Sequence, residues 1–198
     1  MNDKIKIIEP RKEVEIHLPD GRVLSGPRGA RVGEFLAMLE YESQVVAAIV
    51  NHDLRELTYP IETESTVQPV LMDSSDGARI YRRSLTFVLE TAFAQLFPTG
   101  ILFVDHSIAS GGYFCQVVGR EALSDTEVTA LKTKMQALID ADMPFEKYEV
   151  TLDEALAYFR SRGDDDKLSL LKYRKKNTLT FYRLDGNSDY LHGYVVPS

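Results

Sequence analysis

The side chains that could do chemistry in this chain are few and lie far apart in sequence. The histidines are His17, His52, His106 and His192, and at least 35 positions separate neighbours, so no local two-histidine metal motif exists. The single cysteine, Cys115, lies in an apolar run, where a small buried residue is expected rather than a nucleophile. The sequence therefore predicts no catalytic residue and no metal ligands, while a site assembled from distant residues stays an open alternative.

Three short segments could bind a ligand instead. A glycine pair beside a histidine lets a ligand approach the backbone next to a hydrogen-bond donor, although a plain loop between strands is the alternative. A basic run that contains a tyrosine suits phosphate contact and base stacking, although a solvated hairpin end is the alternative. Two arginines near a helix start could bind an anion. The candidate binding residues are Arg82, Arg83, His106, Gly111, Gly112, Lys172 and Arg174.

Composition limits the classes of function. The chain has 198 residues, of which 44% are hydrophobic and 27% charged, as expected for one large or two small globular domains. A net charge of −7 disfavours general coating of a polyanion, so any nucleic-acid contact must be local. One cysteine excludes an internal disulfide, and no apolar run is long enough to span a bilayer. These features predict a cytoplasmic location and no membrane partner.

The first domain, predicted over residues 1–73, has the element order of a β-grasp fold. Apolar residues alternate over 14–18, and a tight turn at 19–21 makes the start a hairpin. Helical spacing follows over 32–39 and a β-branched apolar run over 45–50. A last strand over 66–71 contains a proline, which suggests an edge position in the sheet.

The second domain, predicted over residues 78–198 after a polar linker at 73–77, is α+β. Apolar residues recur at helical spacing from Tyr81 until Pro98 stops the helix. Two capping boxes mark further helices, one at Ser124 with Glu127 and the other at Thr151 with Glu154. Strands are predicted at 101–104, 113–118, 178–184 and 190–196.

One face of the helix that starts at Tyr81 carries an unexpected aromatic residue. Arg83 and Phe87 point roughly opposite to the predicted apolar stripe at 100° per residue. The stripe consists of Leu85, Val88, Leu89, Ala92 and Leu96. Phe87 therefore lies on the face that ought to be solvated. Either another layer of the domain covers it, or it lines a cleft where a ring can stack.

Two families resemble parts of these domains. The segments 18–21, 29–35 and 45–51 look like a TGS domain, a small module of RNA-linked enzymes and GTPases. The segments 81–89 and 189–198 resemble the second N-terminal domain of threonyl-tRNA synthetases, an editing domain. The four reactive positions of that pattern fall here on Arg83, Phe87, Leu191 and Val195. None of these side chains binds a metal or activates water at neutral pH, so the resemblance implies an editing-like domain without its reactive residues.

A further resemblance, to a third family, covers nearly the whole chain. Segments at 82–85, 106–113, 167–174 and 189–198 look like the N-terminal region of TGS-containing nucleoside kinases of the phosphoribulokinase/uridine kinase family. That resemblance implies that this chain is the N-terminal part of a longer protein. Its partner would be the C-terminal P-loop kinase domain of the same protein, and that domain would bind ATP and magnesium. No cofactor is expected in this chain itself.

The function expected from these observations is a non-catalytic region that binds a nucleotide or RNA, or regulates the kinase domain. One alternative is an editing-type hydrolase of aminoacyl-tRNA with a rearranged site, in which His106, His192 or an aspartate acts as the base. Another alternative is an interaction module that docks a partner through the sheet of the first domain.

Overall fold

The computed structural model describes residues 9–108 and 112–198, which form two compact units. The first unit contains the described residues up to Tyr81 together with Tyr194–Pro197, and the second contains Arg82–Gly193. Among the described helices, none combines the length and the apolar composition that crossing a bilayer requires.

The first unit is the predicted β-grasp. Its elements are β1 (Glu13–His17), β2 (Val23–Pro27), α1 (Val32–Leu36), β3 (Val45–Val50), β4 (Asp53–Arg55) and β5 (Ser65–Leu71). The strands form one sheet in the order β2-β1-β5-β3-β4, in which β1 and β5 are parallel and all other neighbours are antiparallel. The first and last strands lie side by side at the centre of the sheet. The helix α1 packs on the sheet and buries Val32, Phe35 and Leu36 in the core of the unit.

The proline of β5 does not mark a sheet edge, so that prediction is wrong. β5 lies between β1 and β3, but its pairing with β1 extends only over Ile16–Ser65 and His17–Thr66. Pro69 pairs with Ala48 of β3 and lies beyond the end of the shared ladder with β1. A residue without an N–H is tolerated there because no β1 carbonyl is opposite.

The second unit is α+β, as predicted. Its elements are α2 (Ser75–Leu96, of which the first turns belong to the first unit), β6 (Ile101–Ser107), β7 (Tyr113–Val118), α3 (Asp125–Asp140), β8 (Glu146–Thr151), α4 (Leu152–Arg162), α5 (Asp165–Leu171), β9 (Thr178–Leu184) and β10 (Asn187–Asp189). A three-stranded antiparallel sheet has the order β10-β9-β8, and β6 with β7 forms a separate hairpin.

Both capping boxes are confirmed. The Ser124 side chain accepts from the Glu127 backbone N–H and the Glu127 carboxylate accepts from the Ser124 N–H, and Thr151 and Glu154 repeat the arrangement. Each box satisfies two of the backbone donors that a helix start leaves unpaired. α4 then ends at Gly163, which has the left-handed conformation with φ of 70°.

Two local predictions in the second half are wrong. The polar segment 73–77 is not a free linker, because α2 begins at Ser75 and the Ser74 hydroxyl caps it by accepting from the Gly77 N–H. Residues 190–196 form no strand, since β10 ends at Asp189 and Gly193 has φ of 120°. The charged strand β8 was not predicted, because one face carries Lys147, Glu149 and Thr151, all exposed, and the other pairs the half-buried Tyr148 and Val150 with the exposed Glu146.

Candidate functional site

The buried face of α2 is wider than the predicted stripe and shifted from it: Val88 and Ala92 of the stripe are buried, as predicted, but its ends are not. Ser84, Phe87 and Thr91 are buried, whereas Leu85 and Leu96 are exposed by 36% and 37%. Phe87 has no exposed surface, and its ring centroid lies 6.0 Å from that of Phe145. Of the two interpretations of Phe87, the structure therefore supports the covering layer and not the open cleft.

The segment 185–193 runs antiparallel to α2 along this face. The Gln95 amide donates to the Asp185 side chain at 2.9 Å, and the Asn187 amide donates to the Thr91 hydroxyl at 3.1 Å. Two turns earlier on α2, the Arg83 guanidinium lies where a Cβ of Gly193 would be, at 2.8–2.9 Å. A Cβ here would displace this guanidinium, and the φ of 120° at Gly193 is one that residues with a Cβ rarely adopt, so the position favours glycine.

A group of charged side chains fills the middle of this contact. Asp189, at the end of β10, is 4% exposed and forms an ion pair with Lys167 of α5. The Lys167 ammonium also lies 3.8 Å from the Asp164 carboxylate, and Asp189 accepts from the Tyr190 N–H at 2.6 Å. Buried carboxylates are stable in proteins when they are paired and hydrogen-bonded in this way.

Arg162 supplies the second cation of the group. It donates to the Tyr158 hydroxyl at 2.8 Å and to the Ser188 carbonyl at 3.2 Å, and the Tyr158 hydroxyl donates to the same carbonyl at 2.6 Å. These bonds tie the end of α4 to β10 and hold the guanidinium beside Asp189.

Glu90 of α2 completes the group and is its most perturbed member. Burial raises its pKa to about 7, and the charge of Asp189 adds to the rise while Lys167 and Arg162 oppose it. The name "Glu90 cluster" is used below for Glu90, Arg162, Asp164, Lys167 and Asp189. With two cations and three carboxyl groups, the cluster has one acid more than its cations can neutralise.

An apolar cavity of about 320 Å³ lies next to the Glu90 cluster. It is lined by Leu89, Leu102, Cys115, Val117, Ala122, Leu123 and Leu131. Burial and the charge of Glu90 both raise the pKa of the Cys115 thiol, which therefore stays protonated at neutral pH. Cys115 behaves as a half-buried apolar residue rather than a nucleophile. The cavity is at the small end of the range for ligand pockets.

The predicted binding residues lie on three different elements. Arg82 and Arg83 are on α2, where Arg82 is exposed and Arg83 packs against Gly193. His106 is on β6, 62% exposed in its side chain, 3.2 Å from Asp105 and stacked on Phe114 with the ring centroids 5.4 Å apart.

The glycine pair and the basic run have local roles in the described chain. The Gly112 carbonyl accepts from the Ile108 N–H at 2.9 Å, and Gly111 lies outside the described residues. Lys172 ends α5 and is exposed, next to Tyr173, which is 81% exposed. Arg174 donates to the Thr178 carbonyl at 2.7 Å, so its guanidinium holds the start of β9.

The four positions matched to the reactive residues of editing domains are not equivalent in the structure. Arg83, Phe87 and Leu191 belong to the second unit, where Phe87 is buried and Leu191 half-buried. Val195 belongs to the first unit and is 4% exposed. These side chains offer guanidinium, benzyl and aliphatic groups, so any chemistry must come from other residues.

The first unit brings together three further ionisable side chains that the sequence pattern did not group. The ligand atoms of Glu15, His17 and Glu64 lie within 4.8 Å of one another, and His17 pairs with Glu64 at 2.9 Å. All three are at least partly exposed on the sheet. We interpret them as a surface ion-pair group, a type that contributes about 0–1 kcal/mol.

The Glu90 cluster was missed by sequence reasoning because its members come from positions 90, 162–167 and 189. One signal was present, since Glu90 follows Arg83 by seven residues and therefore lies within about 20° of it on the helix. Glu90 shares a helix face with Arg83 and Phe87, but the sequence pattern singled out only those two residues on that face.

Comparison with known proteins points to one class of relative. The chain is 28% identical over 160 residues to the threonine–tRNA ligase of Lawsonia intracellularis, which is 80% of this chain and 25% of that protein. It is 27% identical over 190 residues to threonine–tRNA ligase 2 of Bacillus subtilis, which is 94% of this chain and 30% of that protein. The threonine–tRNA ligase of Nitratidesulfovibrio vulgaris is 27% identical over 182 residues. No protein-family model matches the chain.

These similarities correct one interpretation and support another. The chain spans about a quarter to a third of the length of the curated relatives it matches, and the similarity is to their N-terminal region. The relatives are tRNA ligases, so the predictions of a uridine kinase or nucleoside kinase parent and of a kinase-domain partner are wrong. The predicted fold class, a TGS-like β-grasp followed by an editing-like α+β domain, is confirmed.

Proposed function

We propose that this chain is a tRNA-directed module whose second unit hydrolyses the ester between an amino acid and the 3′ end of a tRNA. The observation that carries the proposal is the Glu90 cluster, in a chain similar to threonine–tRNA ligases over most of its length. A partly buried carboxyl with a raised pKa, surrounded by other charged groups, is typical of functional sites, because burying unbalanced charge costs stability.

Ester hydrolysis needs a proton acceptor for water and a positive group near the carbonyl oxygen. Lys167 and Arg162 supply the positive charge, and both are held in place by Asp189 or by Ser188 and Tyr158. Fixed cations of this kind stabilise an oxyanion as it develops in the transition state. The apolar cavity lined by Leu89, the residue before Glu90, and by Cys115, which senses the charge of Glu90, suits the amino-acid part of the substrate.

The basic run after α5 suits contact with the tRNA backbone. Lys172, Lys175 and Lys176 are exposed, and Tyr173 is 81% exposed, so cationic and aromatic groups are both available to a single-stranded end. The net charge of −7 restricts such contact to this patch and its neighbours.

The test is a deacylation assay with tRNA specific for threonine that carries threonine, serine or an aliphatic amino acid. We expect the chain to release the amino acid from at least one of these tRNAs faster than buffer does. Lys167→Met removes the ammonium and should abolish the release. Binding of the same tRNA is measured separately by filter retention at two salt concentrations. If the chain releases the amino acid from none of these tRNAs, the hydrolase proposal is wrong, whether or not the chain binds them.

The replacement of all four reactive positions favours a second function, recognition of the tRNA end without hydrolysis. Arg83, Phe87, Leu191 and Val195 supply neither imidazole nor thiolate. This function predicts salt-dependent tRNA binding with no release of amino acid at any pH. The two arms of the assay above therefore distinguish the two functions.

A further inference from the structure

Glu90 differs from every other acid of its cluster in having no partner. Asp189 is paired with Lys167, and Asp164 lies 3.8 Å from the same ammonium. In the part of the chain that the structure describes, Glu90 makes no hydrogen bond or ion pair. It is partly rather than fully buried, so water can reach its carboxyl group. An unpaired carboxyl in such a place costs stability, and a group that costs stability beside other charges is a candidate for function.

Four other elements or their caps place a charged or titratable group within electrostatic range of Glu90. Asp189 comes from β10, Lys167 from α5, Asp164 from the residue before α5, Arg162 from α4 and Cys115 from β7. Both cations are already engaged, by Asp189 and Asp164 or by Tyr158 and Ser188. Glu90 is therefore the acid that is left to exchange a proton.

The other candidates for a base are less suited by their contacts. His106 lies in the β6–β7 hairpin, where Asp105 and Phe114 hold its ring and 62% of its side chain is exposed. His192 is exposed. Asp189 is 4% exposed and is ion-paired with Lys167, which stabilises its charged form and weakens it as a base. A general base must instead have a free lone pair within reach of the attacking water.

We infer that Glu90 is the general base of the ester hydrolysis proposed above, an inference that rests on that function. The Glu90 carboxylate takes one proton from a water molecule as the water oxygen bonds to the ester carbonyl carbon. The carbonyl oxygen becomes the oxyanion near Lys167 and Arg162. The bond from carbon to the ribose oxygen then breaks, and the ribose oxygen receives the proton from Glu90. The products are the free amino acid and a tRNA with a hydroxyl end, and Glu90 is again a carboxylate.

A carboxyl group whose pKa is raised to about 7 suits this task near neutral pH. Burial and the charge of Asp189 raise the pKa of Glu90, and the charges of Lys167 and Arg162 limit that rise. The carboxylate form, which is the base, is therefore available near neutral pH. The expected pH profile of kcat/KM, which reports the free protein, therefore rises with pH through about 7, with a slope that corresponds to one proton.

The experiment measures kcat and KM for deacylation between pH 5.5 and 8.5, together with the Kd for tRNA. The variants are Glu90→Gln, which keeps the shape but cannot accept a proton, and Glu121→Gln, which changes an exposed glutamate of the same unit. We expect Glu90→Gln to lower kcat by at least about 100-fold with the tRNA Kd changed less than twofold. Glu121→Gln should retain the rate and the pH profile of the wild type.

The outcomes separate the two proposals. If Glu90→Gln retains the wild-type kcat and pH profile, the assignment of Glu90 is overturned and the hydrolase function stands. If the wild type binds tRNA but releases no amino acid, the hydrolase function and the role of Glu90 are both overturned. A folding defect is recognised from circular dichroism, and Glu90→Asp, which keeps the carboxyl, should then recover part of the rate if Glu90 is the base.

Discussion

The pH dependence of stability tests the environment of Glu90 without any substrate. The pKa of Glu90 rises from 4.5 in the unfolded chain to about 7 in the fold. At about 1.4 kcal/mol per pKa unit, ionising this group in the folded protein costs about 3 kcal/mol more than ionising it in the unfolded chain. About one pH unit below 4.5 the group is largely protonated in both states, so this cost is nearly absent. It grows as the pH rises and is complete above about pH 7.

Glu90→Gln should therefore stabilise the protein in a pH-dependent manner. We expect the free energy of unfolding of the variant to exceed that of the wild type by about 3 kcal/mol at pH 8, and the difference nearly to disappear about one pH unit below 4.5. Other titrating groups cancel in this difference because both proteins contain them. Since the chain has no tryptophan, urea unfolding is followed by far-UV circular dichroism at several pH values.

The matched control is Glu121→Gln, whose effect should be small and independent of pH, because Glu121 is exposed. The reasoning is refuted if Glu90→Gln is less stable than the wild type at pH 8. That result would mean that Lys167 and Arg162 stabilise the Glu90 carboxylate by more than burial and Asp189 destabilise it.

Three other substitutions test separate parts of the argument. Gly193→Ala should destabilise the protein by about 1–3 kcal/mol. The loss should exceed that of the control Gly163→Ala, because both glycines have positive φ but only a Cβ at position 193 meets a guanidinium. The midpoints of urea unfolding measure both effects. Ser124→Ala should cost about 1 kcal/mol by the same assay, since it removes a confirmed helix cap, and no loss would contradict the capping role. Lys175→Glu with Lys176→Glu should weaken tRNA binding and reduce its salt dependence in filter retention, and unchanged binding would exclude the basic run as the contact.

Much of the fold could be predicted because its signals are local. The Pro19-Asp20-Gly21 turn forms as expected, with φ of 86° at Gly21 and the Gly21 N–H donating to the Leu18 carbonyl. The strands predicted at 113–118 and 178–184 have the observed bounds. Turn residues, caps and runs of β-branched residues act over a few positions, so a single sequence contains the information that decides them.

The candidate site could not be predicted in the same way. The helix face was misjudged because Leu85 and Leu96 have apolar side chains but remain exposed, whereas Thr91 is buried with its hydroxyl accepting from Asn187. Side-chain polarity predicts burial only on average. The sequence of a helix does not show which other segment of the chain will cover each of its faces.

The sequence by itself determined the β-grasp order, the capped helices and the absence of imidazole and thiolate from the four positions matched to editing domains. Only the tertiary structure decided that Glu90, Lys167 and Asp189 form one cluster and that Glu90 is the member without a partner. The physical reason is that a pKa and an ion pair depend on distances and burial. Lys167 is 77 positions from Glu90 and 22 positions from Asp189, so these side chains come close together and lose contact with water only when the chain folds.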